Sequence, residues 1–169
     1  MFHQHRIGEM NIAFVGNLAR YLRAMSLLIA LGSDHAGYEL KEAVKKHLLG
    51  RGHVVEDMGT YSTESMDYPD PAHAVARSVA SGANALGVLI CGSGNGVSIA
   101  ANRHHGVRCA LAWNPEVARL ARAHNDANVL ALPARFIGAE DAVAAIDGFL
   151  TSSFEGGRHA RRVEKIDAC

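Results

Sequence analysis

The sequence predicts an α/β fold in which helices cover both faces of a parallel sheet. Short apolar runs, typical of buried strands, alternate five times with longer segments whose apolar residues recur at helical spacing. The clearest unit runs from Leu86 to Asn102, where an apolar run ends at Cys91, three glycines follow and a second apolar run begins. The chain has 169 residues, enough for one domain with a substantial core. In such folds ligands bind at the carboxyl ends of the strands.

The predicted elements begin at Leu27. Strands are expected at 27–31, 54–56, 87–90, 107–112 and 129–132. Helices are expected at 37–49, 72–80, 97–101, 115–124 and 140–150, with a short polar helix within 155–169. Residues 58–71 are polar and include two prolines, which predicts a loop of functional length.

The first 24 residues differ from the rest. They contain three arginines and a single acid, Glu9, and no apolar segment with a small-residue cleavage site. We therefore expect residues 1–24 to be an extension that is disordered, an artefact of the assigned start or a surface helix. Residues 25–169 are expected to be the functional domain.

Composition excludes several classes of partner. Lysine plus arginine and aspartate plus glutamate both count 17, so the balance of charge favours neither nucleic acid nor an anionic membrane. The three cysteines lack the spacing of a metal site and suggest a reduced, cytoplasmic protein. No apolar run approaches the roughly 20 residues of a membrane helix.

The glycine turn after Cys91 is the first candidate site. Glycines at 92, 94 and 96 allow positive φ angles and close approach of a ligand, and the following helix directs free N–H groups at the turn. A cysteine there is favoured as a thiolate, so Cys91 is a candidate nucleophile or base. The alternative is that Cys91 simply ends a buried strand and that the glycines serve packing.

Other reactive side chains are predicted to lie near the same rim of the sheet. Two follow the first strand, two accompany the third, and three precede the last: Asp34, His35, Cys91, Ser93, His124, Asn125 and Asp126. Each has a structural alternative, because Asp34 suits a helix cap and His124 suits a helix C-terminus.

The tail offers a pair of arginines. Arg158 and Arg162 are four residues apart, which places them on one helical face and suits a phosphate held by two guanidinium groups. The alternative is a solvated helix whose acids, Glu164 and Asp167, form exposed ion pairs.

Five motifs together resemble a known family. They are GSDHAG at 32–37, DYP at 67–69, CGSGNG at 91–96, HND at 124–126 and EGGRHARRV at 155–163. From about residue 27 to 166 the chain resembles type B ribose-5-phosphate isomerases, a family that includes galactose-6-phosphate and allose-6-phosphate isomerases. The resemblance implies a Rossmann-like three-layer αβα sandwich with a five-stranded parallel sheet and a C-terminal helix. It also implies a homodimer or tetramer with active sites at the dimer interface, a phosphorylated sugar as substrate, and no metal or cofactor.

The resemblance further implies individual roles. Cys91 matches the base that moves a proton between C2 and C1, His124 the residue that opens the sugar ring, and Asp34 a residue that positions the sugar. Free N–H groups at a glycine turn also suit a phosphate, but in the family Ser93 and the backbone N–H groups of this turn match an oxyanion site for the enediolate. The turn residues are Gly92, Gly94, Asn95 and Gly96. The family's phosphate and substrate contacts match His35, Arg135, Arg158 and Arg162, and its sugar-binding positions match Tyr68 and Asn125.

Two positions depart from parts of the family. Ser93 stands where cysteine-using members often have threonine, and Val97 stands where another branch has a catalytic glutamate. Valine cannot take a proton, so Cys91 is the only candidate base in the turn. The predicted reaction is the interconversion of ribose 5-phosphate and ribulose 5-phosphate.

Three other functions share parts of this pattern. A six-carbon sugar phosphate as substrate keeps the chemistry, and a non-catalytic sugar-phosphate sensor keeps only the binding. A nucleotide-binding dehydrogenase is disfavoured, because GSDHAG follows the first strand in place of G-x-G-x-x-G.

Overall fold

A computed structural model describes residues 26–168 and contains one parallel sheet of five strands. The strands are β1 (Leu28–Ser33), β2 (Val54–Asp57), β3 (Leu86–Cys91), β4 (Cys109–Leu111) and β5 (Val129–Pro133). Their order across the sheet is β2-β1-β3-β5-β4, and all neighbours are parallel. The predicted fold class is confirmed. The expectations for residues 1–24, for a domain beginning at residue 25 and for Cys169 concern positions outside the described residues.

Six helices and one 3-10 turn connect the described strands. The turn is His35–Gly37, and the helices are α1 (Tyr38–Gly50), α2 (Pro69–Ala80), α3 (Asn95–Ala101), α4 (Pro115–Asn125), α5 (Ala139–Thr151) and α6 (Ala160–Val163). α2 begins three residues before the predicted start. Proline is tolerated in the first helical turn because backbone N–H groups there have no acceptor within the helix, so the lack of an N–H costs no hydrogen bond. β4 is shorter than predicted, since Val107 closes a turn on His104 and the strand pairs only with β5.

The core forms two layers, one on each face of the sheet. α1, α4 and α5 cover one face, and α2 and α3 cover the other. Successive residues of β3 therefore enter opposite layers, and all six are buried. This explains why the strand is continuously apolar in the sequence. Cys91 belongs to the layer beneath α2 and α3.

A buried ion pair fixes the start of the long loop after β2. Lys41, which is fully buried on α1, donates to both carboxylate oxygens of Asp57 at 2.6 and 2.7 Å. The same carboxylate accepts from Lys45 and from the backbone N–H of Gly59. Burial by itself would raise the pKa of Asp57, but the hydrogen bonds from Lys41 and Lys45 outweigh burial and lower it. The loop that leads to Tyr68 thus starts from a fixed point.

Within the described part of the chain, no helix is both long enough and apolar enough to cross a membrane.

Candidate active site

A cleft of about 430 Å³ lies at the carboxyl ends of β1 and β3. Ten residues line it: Asp34, His35, Ala36, Tyr68, Cys91, Gly92, Ser93, Gly96, Arg135 and Phe136. Backbone hydrogen bonds join the ends of β1 and β3, from Asp34 N to Ile90 O at 3.1 Å, and the ends of β5 and β3, from Ala134 N to Cys91 O at 2.9 Å. Eight of the fourteen site residues predicted from the sequence line this cleft. Ala36 and the exposed Phe136 were not predicted, although each adjoins a predicted residue in the sequence.

Cys91 is the last residue of β3 and is 4% exposed. Its Sγ accepts a hydrogen bond from the backbone N–H of Gly94 at 3.1 Å. Ser93 is exposed beside it, and Val97 is fully buried in the core, where it has no access to a ligand. Cys91 therefore both packs in the core, as the structural alternative holds, and lines the cleft.

The three glycines of the turn serve two different purposes. Only Gly94 has a positive φ, of 73°. A Cβ at Gly92 would lie 3.2–3.3 Å from the side chain of Arg135, and a Cβ at Gly96 would lie 2.8–3.0 Å from the ring of Tyr68. The positive φ that glycine allows is therefore used at only one of the three positions. Gly92 and Gly96 instead make room for two side chains of the cleft.

Asp34 and His35 are held by the turn that follows β1. Oδ1 of Asp34 accepts from Gly37 N at 3.0 Å, so the capping role is present and the residue also lines the cleft. Nδ1 of His35 accepts from Met66 N at 3.3 Å. A neutral His35 ring therefore carries its proton on Nε2, where it is available as a donor.

Arg135 supplies the positive charge of the cleft. Its backbone N–H donates to Gly92 O at 3.0 Å, and its guanidinium packs against the same glycine. Among residues 26–168 no carboxylate forms an ion pair with Arg135. The charge is therefore free to attract an anionic ligand.

His124 belongs to a second cluster, formed by the end of α4 and the tail. Its Nε2 lies 3.5 Å from Oε2 of Glu155, and its ring stacks on that of His159 with centroids 4.2 Å apart and planes 5° apart. Burial and the nearby charges of His124, Arg158 and Arg162 lower the pKa of His159. Two of the predicted phosphate ligands therefore lie near His159.

The tail corrects one prediction about these arginines. α6 begins at Ala160, so Arg158 lies in the turn before the helix and does not share a helical face with Arg162. The solvated alternative holds in part, because α6 buries no residue, but within residues 26–168 Glu164 and Asp167 form no ion pair and Asp167 instead accepts from the backbone N–H of Gly106. Within residues 26–168 neither arginine is paired with a carboxylate.

The two clusters lie at opposite ends of the strands: the cleft is at their carboxyl ends and the His124 cluster is at their amino ends. Cys91 is at the carboxyl end of β3, whereas Asn128, four residues after His124, accepts from Gly87 near the start of β3. The prediction that His124 and Asn125 share a rim with Cys91 is therefore wrong for a single chain. The reason is that a helix joining parallel strands runs back across the sheet, so its C-terminus reaches the amino edge.

An unusual backbone conformation follows His124. Asp126 has φ 46° and ψ 40°, the only positive φ among the non-glycine residues described. Its carboxylate is paired with both Arg108 and Arg122, and its carbonyl accepts from Arg108 at 2.8 Å. The sequence identified the HND motif but did not predict that Arg108 and Arg122 would hold its third residue in this conformation.

Comparison with known proteins places the chain among sugar-phosphate isomerases. A family model described as Ribose/Galactose Isomerase matches residues 29–166. Ribose-5-phosphate isomerase B of Escherichia coli (strain K12) is 49% identical over 140 residues, which cover 83% of this chain and 94% of that protein.

Solved structures give the same result. A ribose 5-phosphate isomerase from Thermotoga maritima is 57% identical, with a TM-score of 0.83 over 85% of this chain and 99% of that one. Ribose-5-phosphate isomerase B from Mycoplasma genitalium, solved with bound ribulose-5-phosphate, is 43% identical. Its TM-score is 0.81 over 83% of this chain and 94% of that one.

Proposed function

The chain belongs to the ribose/galactose isomerase family, and we propose that it interconverts ribose 5-phosphate and ribulose 5-phosphate, with Cys91 as the base. The observation that carries this proposal is the position of Cys91. Its sulfur lies at a strand end, accepts the Gly94 N–H at 3.1 Å and lines the cleft with Asp34 and Ser93. No other residue from 91 to 97 can act as a base in this cleft.

The proton transfer follows from this geometry. Cys91, as a thiolate, removes the proton from C2 of the open-chain aldose, and a cis-enediolate forms across C1 and C2. The same proton returns to C1 while the carbonyl forms at C2 and the O2 proton passes to O1. Ser93 and the backbone N–H groups of the turn are placed to stabilise the enediolate oxygen, an anion that exists only on the reaction path.

Ring opening and phosphate binding are assigned to the second cluster and to the cleft arginine. His124 exchanges a proton with the ring oxygen and O1 to open the furanose, and Glu155, whose Oε2 lies 3.5 Å from Nε2 of His124, is placed to orient the ring. Arg158 and Arg162 hold the phosphate, together with His35 and Arg135. Asp34, Tyr68 and Asn125 bind the sugar.

A complete site requires two copies of the chain. Cys91 and His124 lie at opposite edges of one sheet, too far apart to act on a single five-carbon sugar. A homodimer in which the cleft of one protomer faces the His124 cluster of its partner brings them together twice by symmetry. The exposed side chains of Tyr68 and Phe136 at the cleft are suited to such a contact.

The test is a rate measurement with metal ions chelated. Wild-type protein is expected to form ribulose 5-phosphate from ribose 5-phosphate, and Cys91→Ala to lose this activity. Cys109→Ala is the matched control, because Cys109 is equally buried but burial raises its pKa to about 12, which keeps it a thiol. Full activity of Cys91→Ala would exclude Cys91 as the base. Turnover of a six-carbon sugar phosphate in place of the pentose would retain the mechanism and change the substrate.

A further inference from the structure

Three ligand-bearing side chains converge where the tail meets α4. His124, Glu155 and His159 each offer one ligand atom, and these atoms lie within 4.8 Å of one another. We propose that they bind a transition-metal ion of the zinc class and that the bound ion inhibits the isomerase by occupying His124. The inhibition rests on the proposed function, whereas the binding does not.

The separations suit a single ion. Zinc binds histidine nitrogen and carboxylate oxygen at about 2.0–2.2 Å, so two ligands of a tetrahedral ion lie about 3.4 Å apart. Nε2 of His124 and Oε2 of Glu155 are already 3.5 Å apart. Since all three atoms lie within 4.8 Å, no pair has to approach by more than about 1.4 Å to reach this separation.

The surrounding contacts indicate which side chain adjusts. The two imidazole planes are parallel, so one ring has to rotate before both can face one ion. His159 is only 8% exposed and its backbone N–H is bonded to Gly156 O, whereas the side chain of His124 is 34% exposed. The backbone of Glu155 is fixed by the bond from its N–H to Ala123 O at 2.9 Å, and its exposed carboxylate can follow the ion. The rotating ring is therefore that of His124.

The charges around the triad select the class of metal. The cluster contains a single carboxylate, and two guanidinium groups lie beside His159: that of Arg158, whose Nε donates to Nε2 of His159 at 3.4 Å, and that of Arg162. Ions that bind through charge and oxygen ligands, such as Mg²⁺ and Ca²⁺, are therefore disfavoured. Zn²⁺, Ni²⁺ and Cu²⁺ gain their affinity from imidazole and tolerate the positive surroundings.

Metal binding and catalysis compete for one atom. An imidazole nitrogen that is bound to a metal ion has no lone pair with which to take a proton from the sugar. Bound zinc therefore prevents ring opening, and removal of the ion restores it.

Binding is tested on the full chain, stripped with a chelator and titrated calorimetrically with zinc chloride. Wild-type protein is expected to bind one equivalent per chain. Glu155→Gln and His159→Gln are expected to weaken binding by at least about tenfold. Removal of a group that only hydrogen-bonds to a metal ligand already has an effect of this size. His47→Gln, which removes a histidine paired with Asp147 on another face, and Cys91→Ser are expected to bind like wild type. Unchanged affinity in both ligand variants, or loss of binding in Cys91→Ser, would overturn the site.

Inhibition is tested by the isomerase rate with and without zinc. The wild-type and His47→Gln rates are expected to fall with zinc and to recover with chelator, and magnesium is expected to have no such effect. An active wild-type enzyme that binds zinc without inhibition would overturn the regulatory role. Should wild type turn over no sugar phosphate, the proposed function fails, and the calorimetry still decides the metal site.

Discussion

Cys91 and His124 lie at opposite edges of the same sheet, one at the end of β3 and the other at the end of α4. The first lines a cleft with Asp34 and Tyr68, and the second stacks on His159 beside Arg158 and Arg162, which form no ion pair with any carboxylate of residues 26–168. In the proposed mechanism the first cluster supplies the base and the second opens the sugar ring. This separation makes the assembly of the enzyme a testable property.

Mixing two inactive variants is expected to restore activity. Cys91→Ala and His124→Ala are each expected to be inactive alone. After unfolding together in equal amounts and refolding, half of the dimers contain one chain of each kind, and one of their two sites has both wild-type residues. The expected activity is about a quarter of the wild-type value, for random pairing in a two-fold dimer. A mixture that stays as inactive as its parents would place both residues in a site within one chain.

Replacing Gly96 with alanine is expected to raise KM. Helix propensity favours alanine at this position in α3 by about 1 kcal/mol, but its Cβ would lie 2.8–3.0 Å from the ring of Tyr68 and displace it. Rates of Gly96→Ala measured against substrate concentration should therefore give a higher KM than those of wild type, while the variant remains folded. Gly50→Ala is the control, because nothing lies within 4 Å of its Cβ. An unchanged KM together with a higher melting temperature would mean that Tyr68 does not bind the sugar.

Asp57→Asn is expected to reduce stability by about 3 kcal/mol, because it removes the buried carboxylate partner of Lys41 and leaves only the exposed carboxylate of Glu42. The folded pKa of Asp57 is lowered, so its stabilising effect is present above the pKa of the unfolded chain, about 3.9, and is lost as the pH falls towards the folded pKa. Denaturant unfolding from pH 7 to pH 3 should show this loss in wild type and a smaller one in Asp57→Asn. Glu116→Gln, in an exposed pair, should change stability little at any pH. Equal pH dependence in wild type and Asp57→Asn would contradict the assignment.

Substitutions of Asp126 are expected to separate backbone conformation from charge. Asp126→Ala places alanine in the left-handed region and removes two ion pairs, which together cost about 2 kcal/mol and disorder the end of α4 beside His124. Asp126→Gly restores the backbone but not the charge, and Asp126→Asn keeps a hydrogen-bonding side chain that tolerates positive φ. We expect kcat to fall most for alanine and least for asparagine. Equal kcat values for all three variants would show that this turn does not position His124.

Local sequence patterns were sufficient for the fold class. The six buried residues of β3, the glycine turn and α3 are adjacent in the chain, so their order and periodicity predicted a strand, a turn and a helix. The observed element boundaries differ from the predicted ones where one residue type is compatible with two local structures. Proline can begin a helix as well as interrupt one, and the structure places α2 from Pro69 onwards.

Sequence motifs identified the candidate residues of the cleft, but they did not reveal the contacts that explain why these residue types are needed there. Gly96 meets Tyr68 and Gly92 meets Arg135 across 28 and 43 residues of chain, and no local pattern encodes such contacts. The position of His124 is a different case, because the direction of a helix between parallel strands already implies the opposite edge.

The sequence by itself determined the alternation of strands and helices, the family and the residues able to react, since these depend on residue type and on spacing along the chain. The tertiary structure alone decided that Cys91 accepts the Gly94 N–H, that Lys41 is buried against Asp57, and that His124 meets Glu155 and His159. Those contacts depend on how the helices pack against the sheet, and packing joins residues whose separation in the chain carries no periodic signal.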